Sequence, residues 1–164
     1  MLNKVVKTEY PLIDSDPHAS RVIRYMRPSD YAAWAGSTAA FPAALYAWEM
    51  ADPTKLKLKT TLKLGGFLGF TAGFLLAYQR SSYRFWGWSE NKREEERDLT
   101  ELSQRVREGK TLYGESPQPA WVQQAAASNS QWSQLNLGEF NLVNHPHHGT
   151  DPAKYGVKKE EESS

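Results

Sequence analysis

Cysteine is absent from all 164 residues, which excludes disulfides, thiolate catalysis, iron–sulfur ligation and twin-cysteine architectures together. Net charge is nearly absent as well. With 20 Lys and Arg against 19 Asp and Glu the chain carries +1, so no bulk positive field draws it to nucleic acid. No glycine-rich phosphate loop, nucleophile elbow or zinc-protease helix occurs. The opening residues MLNKVVKTEYPLIDSDPH offer only two valines after Lys4, where a signal peptide needs a longer apolar run. Glu9, Asp14 and Asp16 come early, unlike the arginine-rich, acid-poor start of an organellar presequence, so an uncleaved chain with an internal targeting signal is expected. There are no internal repeats.

What the chain does have is apolar sequence gathered between Tyr31 and Trp88, although its mean hydropathy is negative. Residues 64–78, LGGFLGFTAGFLLAY, carry no charge. Gly65, Gly69, Gly73 and Ala77 recur every four residues and form one smooth stripe on a helix, while Phe67, Phe70, Phe74 and Tyr78 stack on another face. Each such glycine costs a helix in water about 1 kcal/mol against alanine. In lipid, small residues repay this by letting two backbones approach closely. The competing reading is a glycine-rich helix buried in a soluble domain.

Residues 31–48, YAAWAGSTAAFPAALYAW, are again uncharged and reach the lower length limit of a spanning helix. Ala32, Gly36, Ala40 and Ala44 make a small row, Trp34, Phe41, Leu45 and Trp48 a bulky one, and Pro42 should kink the helix. Asp52-Pro53 marks the turn of an antiparallel pair. Two matching small rows suggest that these helices pack closely on each other, or press together on larger partner helices.

The expected fold is therefore mainly α. An extended N-terminal segment (1–29) precedes a transmembrane hairpin (30–88, spans about 31–50 and 62–79), then a charged amphipathic helix (89–109) and an irregular, partner-docking tail (110–164). Within the first segment Arg21, Arg24 and Arg27 would line one side of a short helix. Arg24, Arg27, Arg80, Arg84, Trp86 and Trp88 have the character of an interfacial belt at lipid headgroups. In the amphipathic helix Leu99, Leu102 and Val106 form a thin apolar stripe, and the charges read as a solvated face. Trp121, Trp132, Leu135, Leu137, Phe140 and Leu142 are isolated anchors in polar sequence, suited to lying along another protein, and the closing KKEEESS should be disordered.

One cluster is metal-like: His145, His147 and His148 with Asp151. Pro146 and the want of a distant fourth ligand argue against a closed zinc site and for a surface loop or partner contact. The uncharged runs 31–48 and 64–78 contain no carboxylate or lysine to mark a proton path. No catalytic residue, cofactor or metal is assigned.

The stretch YPLIDSDPHASRVIRYMRPSDYA at residues 10–32, followed by two hydrophobic segments and a polar second half, resembles the fungal-type 21 kDa accessory subunit family of mitochondrial NADH:ubiquinone oxidoreductase, complex I. The resemblance implies a non-catalytic, supernumerary subunit of the membrane arm of the respiratory chain complex. It would lie multi-pass in the mitochondrial inner membrane and support assembly and stability. Other complex I subunits and membrane lipids would be its partners, with no nucleic acid, small-molecule substrate or cofactor. The alternatives are a membrane-hairpin assembly factor or scaffold of another inner-membrane complex, or a small enzyme using the histidines. Seven cations on the side of the termini (Arg21, Arg24, Arg27, Arg80, Arg84, Lys92, Arg93) face four in the loop (Lys55, Lys57, Lys59, Lys63), which puts both termini in the matrix.

Overall fold

A computed structural model of the chain describes residues 6–53, 57–130, 133–135 and 140–156. Lys55, Trp132, Leu137 and the closing KKEEESS, all given roles above, lie outside them. As expected the chain is mainly helical. Its helices are α1 (Ala19–Arg24), α2 (Pro28–Ala51), α3 (Leu58–Trp86), α4 (Lys92–Arg107) and α5 (Ala120–Asn129), with a 3-10 turn at Pro152–Tyr155. The described residues form no strand, only a parallel bridge between His18 and Asn141. Contacts divide the chain differently from the four consecutive pieces of the sequence reading. Residues 23–81 form one compact unit, and residues 1–22 join 82–164 in the other.

In the unit 23–81, α2 starts on Pro28, whose fixed φ suits a first helical turn. The Arg27 N–H donates to Asp30 Oδ2 at 2.8 Å and the Asp30 N–H returns to the Arg27 carbonyl at 2.9 Å. Arg80 Nε donates to the other oxygen of the fully buried Asp30 at 3.0 Å, so one carboxylate closes the helix start and ties it to α3. The helix runs through Pro42, with the Thr38 hydroxyl turned back onto the Trp34 carbonyl at 2.9 Å. It ends at Asp52, which Pro53 forces out of helical geometry.

Gly65, Gly69, Gly73 and Ala77 of α3 are all buried. A Cβ on Gly69 would lie 2.8 Å from the Ser37 carbonyl oxygen and 3.0 Å from Phe41 Cβ, and one on Gly73 2.8 Å from the Trp34 carbonyl oxygen. A Cβ on Gly65 would meet Leu45 Cδ1 at 2.6 Å and Pro42 Cα at 3.4 Å. The expectation that Gly36, Ala40 and Ala44 match this row is corrected: all three are exposed, and Gly36 has open space where a Cβ would stand. Two flat stripes facing each other would leave a void. The groove along α3 instead receives the ridge Trp34–Phe41–Leu45, whose atoms fill it. Trp34 completes the fit, its ring 5.0 Å from Phe70 and 5.2 Å from Phe74, with Nε1–H donating to the Phe70 carbonyl at 2.9 Å.

Among the described residues α3 alone, 29 residues long, is both long and apolar enough to cross a bilayer. α2 has 24 residues but is too weakly apolar for the same test.

In the other unit the last turn of α3 is covered. Ile13 N–H and Asp14 N–H both donate to the Phe85 carbonyl, at 3.0 and 3.2 Å, and the Tyr10 N–H donates to the Gly87 carbonyl at 3.2 Å. Gly87 stops α3 at φ +77, with the Tyr10 carbonyl and the Thr8 hydroxyl standing where a side chain would go, so only glycine fits. This corrects the placing of Arg84 and Trp86 at lipid headgroups. Both are buried, with Arg84 Nε 3.4 Å from Glu94 Oε1. Trp88 is 45% exposed and donates to the Gln134 carbonyl at 3.0 Å.

The buried face of α4 also differs from the sequence reading. Leu99 is 41% exposed, whereas Glu94, Asp98 and Leu102, each one turn from the next, are buried. Two of those positions are charged because arginines from elsewhere in the chain meet them. Asn91 anchors the helix start by donating to the Pro11 carbonyl at 2.7 Å and the Arg84 carbonyl at 2.8 Å. Within the stretch expected to be irregular, residues 120–129 form α5, begun after Pro119.

Candidate functional site

The motif Ile13-Asp14-Ser15-Asp16-Pro17-His18 supplies two carboxylates two residues apart, held by an Asx turn in which Asp16 N–H donates to Asp14 Oδ1 at 2.9 Å. α1 follows Pro17 at once and brings Arg21 to Asp14, Nη1 donating to Oδ2 at 2.7 Å. The other guanidinium nitrogen donates to Asp98 Oδ1 on α4. Tyr155, in the 3-10 turn, donates to Asp98 Oδ2 at 2.7 Å. Asp14 and Asp98 have no exposed surface, and Arg21 only 6%.

The histidine loop folds onto this motif. His148 Nδ1 lies 2.8 Å from Asp14 Oδ1 and its Nε2 2.6 Å from the His145 carbonyl oxygen. Both partners are acceptors, so the ring bridges a buried carboxylate and a backbone carbonyl. His145 is different: its Nδ1 accepts the His147 N–H at 3.2 Å, leaving Nε2–H to donate to Asp16 Oδ2 at 2.6 Å. Ser130 also donates to Asp16 Oδ2, and Asn141 Nδ2 donates to the Asp16 carbonyl at 3.2 Å. Tyr113 stacks on His148 with centroids 3.6 Å apart, and its hydroxyl pairs with Thr150 at 2.8 Å.

These contacts set the titration of the cluster. Burial pushes the Asp14 carboxyl up, but the His148 charge and hydrogen bond, Arg21 and the Asp16 N–H together outweigh it and hold the group below its ordinary 3.8. A carboxylate lowered on folding stabilises the fold fully above its unfolded value, and that stability is lost as pH falls through the folded one. Burial, and then the Asp14 charge, raise Tyr113 from 10.0 to about 12; burial likewise raises Tyr155. A raised tyrosine stabilises fully below pH 10.0, and its contribution is lost as pH rises toward about 12. Thermal unfolding of the chain should therefore show a plateau at neutral pH, falling below pH 3.8 and again above pH 10.0. Asp14→Asn should reduce the acid fall and Tyr113→Phe the alkaline one.

The chemistry of this arrangement is cohesion. The imidazole nitrogens, the carboxylates and the Ser130 hydroxyl are committed to one another, and Ser130 faces a carboxylate rather than a base. The metal-like set of the sequence is dispersed: His147 is exposed, Asp151 Oδ1 caps the 3-10 turn by accepting from Ala153 N–H at 3.0 Å, and His145 and His148 face separate aspartates. Among the described residues no group of three or more His, Asp or Glu could hold a metal ion. His147→Ala should leave the unfolding midpoint unchanged, whereas His148→Ala should lower it clearly; equal effects would contradict the assignment.

Of the helix-packing residues named from sequence, Gly65, Gly69, Gly73 and Ala77 lie in a buried row and Gly36, Ala40 and Ala44 do not. Of the interfacial set, Arg24 and Trp88 are exposed, Arg27 is half-buried, and Arg80 is bound to Asp30. Sequence reasoning missed Asp14, Asp16, Arg21, Asp98 and Tyr155 as a network. The available signal was that the strongest motif of the N-terminal segment and the only histidine cluster both place ionisable groups beside prolines.

Comparison with known proteins covers both units. A family described as NADH-ubiquinone oxidoreductase complex I, 21 kDa subunit, matches residues 7–90, and one described as the C-terminal of NADH-ubiquinone oxidoreductase 21 kDa subunit matches residues 99–164. The NADH-ubiquinone oxidoreductase 20.9 kDa subunit of Neurospora crassa is 45% identical over 167 residues, spanning 98% of this chain and 88% of that protein. The first match contains Asp14, Asp16 and Arg21 of the network and the second Tyr113, His145, His148 and Tyr155, with Asp98 between the two. The chain therefore belongs to the 21 kDa subunit family of NADH-ubiquinone oxidoreductase, complex I.

Proposed function

We propose that the chain is a non-catalytic accessory subunit of the membrane arm of mitochondrial complex I, in which α2 and α3 cross the inner membrane as a pair and other subunits of the complex surround them. The observation that carries this reading is the state of α3. Only 22% of its most apolar stretch is buried within the chain, whereas the core helix of a soluble protein is mostly buried. Phe67 is 66%, Leu64 57% and Phe70 52% exposed, which needs lipid or partner helices to cover it. For α2, weak hydropathy is offset by the fit of its Trp34–Leu45 ridge into the α3 groove, so that the two insert as a unit. Arg24, Arg27 and Trp88 are proposed to meet lipid headgroups, with both termini in the matrix.

Deletion of the chain should lower the yield or stability of complex I while NADH oxidation by the detached peripheral arm persists. In purified complex the chain should be stoichiometric; substoichiometric amounts would favour an assembly factor, and comigration with a different complex would refute the reading. Protease added to mitoplasts should cut the α2–α3 loop and spare the C-terminal half. The reverse pattern would invert the topology.

A further inference from the structure

The two ends of α3 treat their cations differently. At the C-terminal end Arg80 is bound to Asp30 and Arg84 faces Glu94. At the N-terminal end Lys57, Lys59 and Lys63 are exposed, the first turn holds no acidic residue, and none of the three pairs with a carboxylate among the described residues. Lys59 and Lys63 stand one turn apart on one side of the helix. Immediately below them the surface becomes apolar: Leu64, Phe67 and Leu68 are 57%, 66% and 48% exposed.

We infer that this end of α3 is a seat for anionic phospholipid headgroups, with Lys57, Lys59 and Lys63 holding the phosphate and the Leu64–Phe67–Leu68 ridge lying along the acyl chains. The inference rests on α3 being a membrane span. Residues 64–79 are uncharged, which is roughly 24 Å of helix against a hydrocarbon core of about 30 Å. The Lys63 stem must therefore extend along the apolar surface until its ammonium reaches headgroup depth. Three ammonium groups that pair with no carboxylate among the described residues favour a lipid of net negative charge over a zwitterionic one.

The test places the full-length chain in phosphatidylcholine vesicles with traces of spin-labelled phosphatidic acid or spin-labelled phosphatidylcholine, and measures the motionally restricted fraction of each probe. The wild-type chain should restrict the anionic probe about fivefold more strongly, with the preference fading at high salt. Joint substitution Lys57→Gln, Lys59→Gln and Lys63→Gln should bring the two probes within about twofold, and Lys→Arg at the same positions should restore the preference. An indifferent wild-type chain, or a preference that survives the glutamine substitutions, overturns the inference. So does its abolition by inorganic phosphate at constant ionic strength, which would make the ligand a free anion. Alkaline extraction separates the two readings: wild-type chain that washes out of neutral vesicles refutes the span, whereas chain retained without anionic selectivity refutes the lipid seat alone.

Discussion

Replacing Arg21 with methionine is expected to destabilise the unit of residues 1–22 and 82–164 by about 3–5 kcal/mol, because the substitution leaves carboxylates buried without their cation. Asp14 and Asp98 have no exposed surface and share this one guanidinium. His148 still faces Asp14, but among the described residues Asp98 would keep only the Tyr155 hydroxyl. A domain of this size has about 5–15 kcal/mol of stability in all, so the variant should sit close to unfolding at physiological temperature. Arg21→Lys should fall between the two. An ammonium supplies the charge but cannot bridge two carboxylates with the planar fork of a guanidinium. Denaturant unfolding of the purified chain in detergent micelles, followed by tryptophan fluorescence, measures the series. A loss under about 1 kcal/mol for Arg21→Met would mean that the network contributes little.

The second large effect is expected at the helix pair. Gly69→Leu would drive a side chain into the backbone of α2, where even a Cβ would stand 2.8 Å from the Ser37 carbonyl and 3.2 Å from Thr38 Cα. Backbone cannot turn aside as a side-chain tip can, so the helices must separate, forfeiting the Trp34 contacts with Phe70 and Phe74. Overpacking of this kind costs about 1–3 kcal/mol, and the loss of the seated ridge adds to it. Gly66→Ala is the control. Nothing lies within 4 Å of the added Cβ, and alanine favours helix over glycine by about 1 kcal/mol, so that variant should be neutral or slightly stabilised. Complex I recovered from inner membranes carrying each variant reads both outcomes. Equal loss in the two would remove the glycine row from any part in packing.

The sequence is informative about α3 for a physical reason. Regular spacing of glycines and rings on a helix is a local property, and it survives whatever the helix packs on. The same logic failed for α2, where the small row Gly36–Ala40–Ala44 is as regular and yet faces away from α3. Which side of a helix meets its neighbour depends on complementarity, and a groove takes a ridge. On α4 the charges at Glu94 and Asp98 read as solvated because a run of mixed charges is a solvated face by default. Their cations, Arg84 and Arg21, arrive from α3 and α1.

What the chain's residues determined alone was helical character, the uncharged run that suits α3 to lipid, and family membership through the YPLIDSDPH segment. Tertiary structure decided which ionisable groups lie inside. Asp98 is 77 positions from Arg21, and Asp14 is 134 positions from His148. Neither group is buried by its own neighbours in sequence. Whether a charge is solvated, and so whether it belongs to a surface or to a core, is settled only by the distant segments that close over it and exclude water.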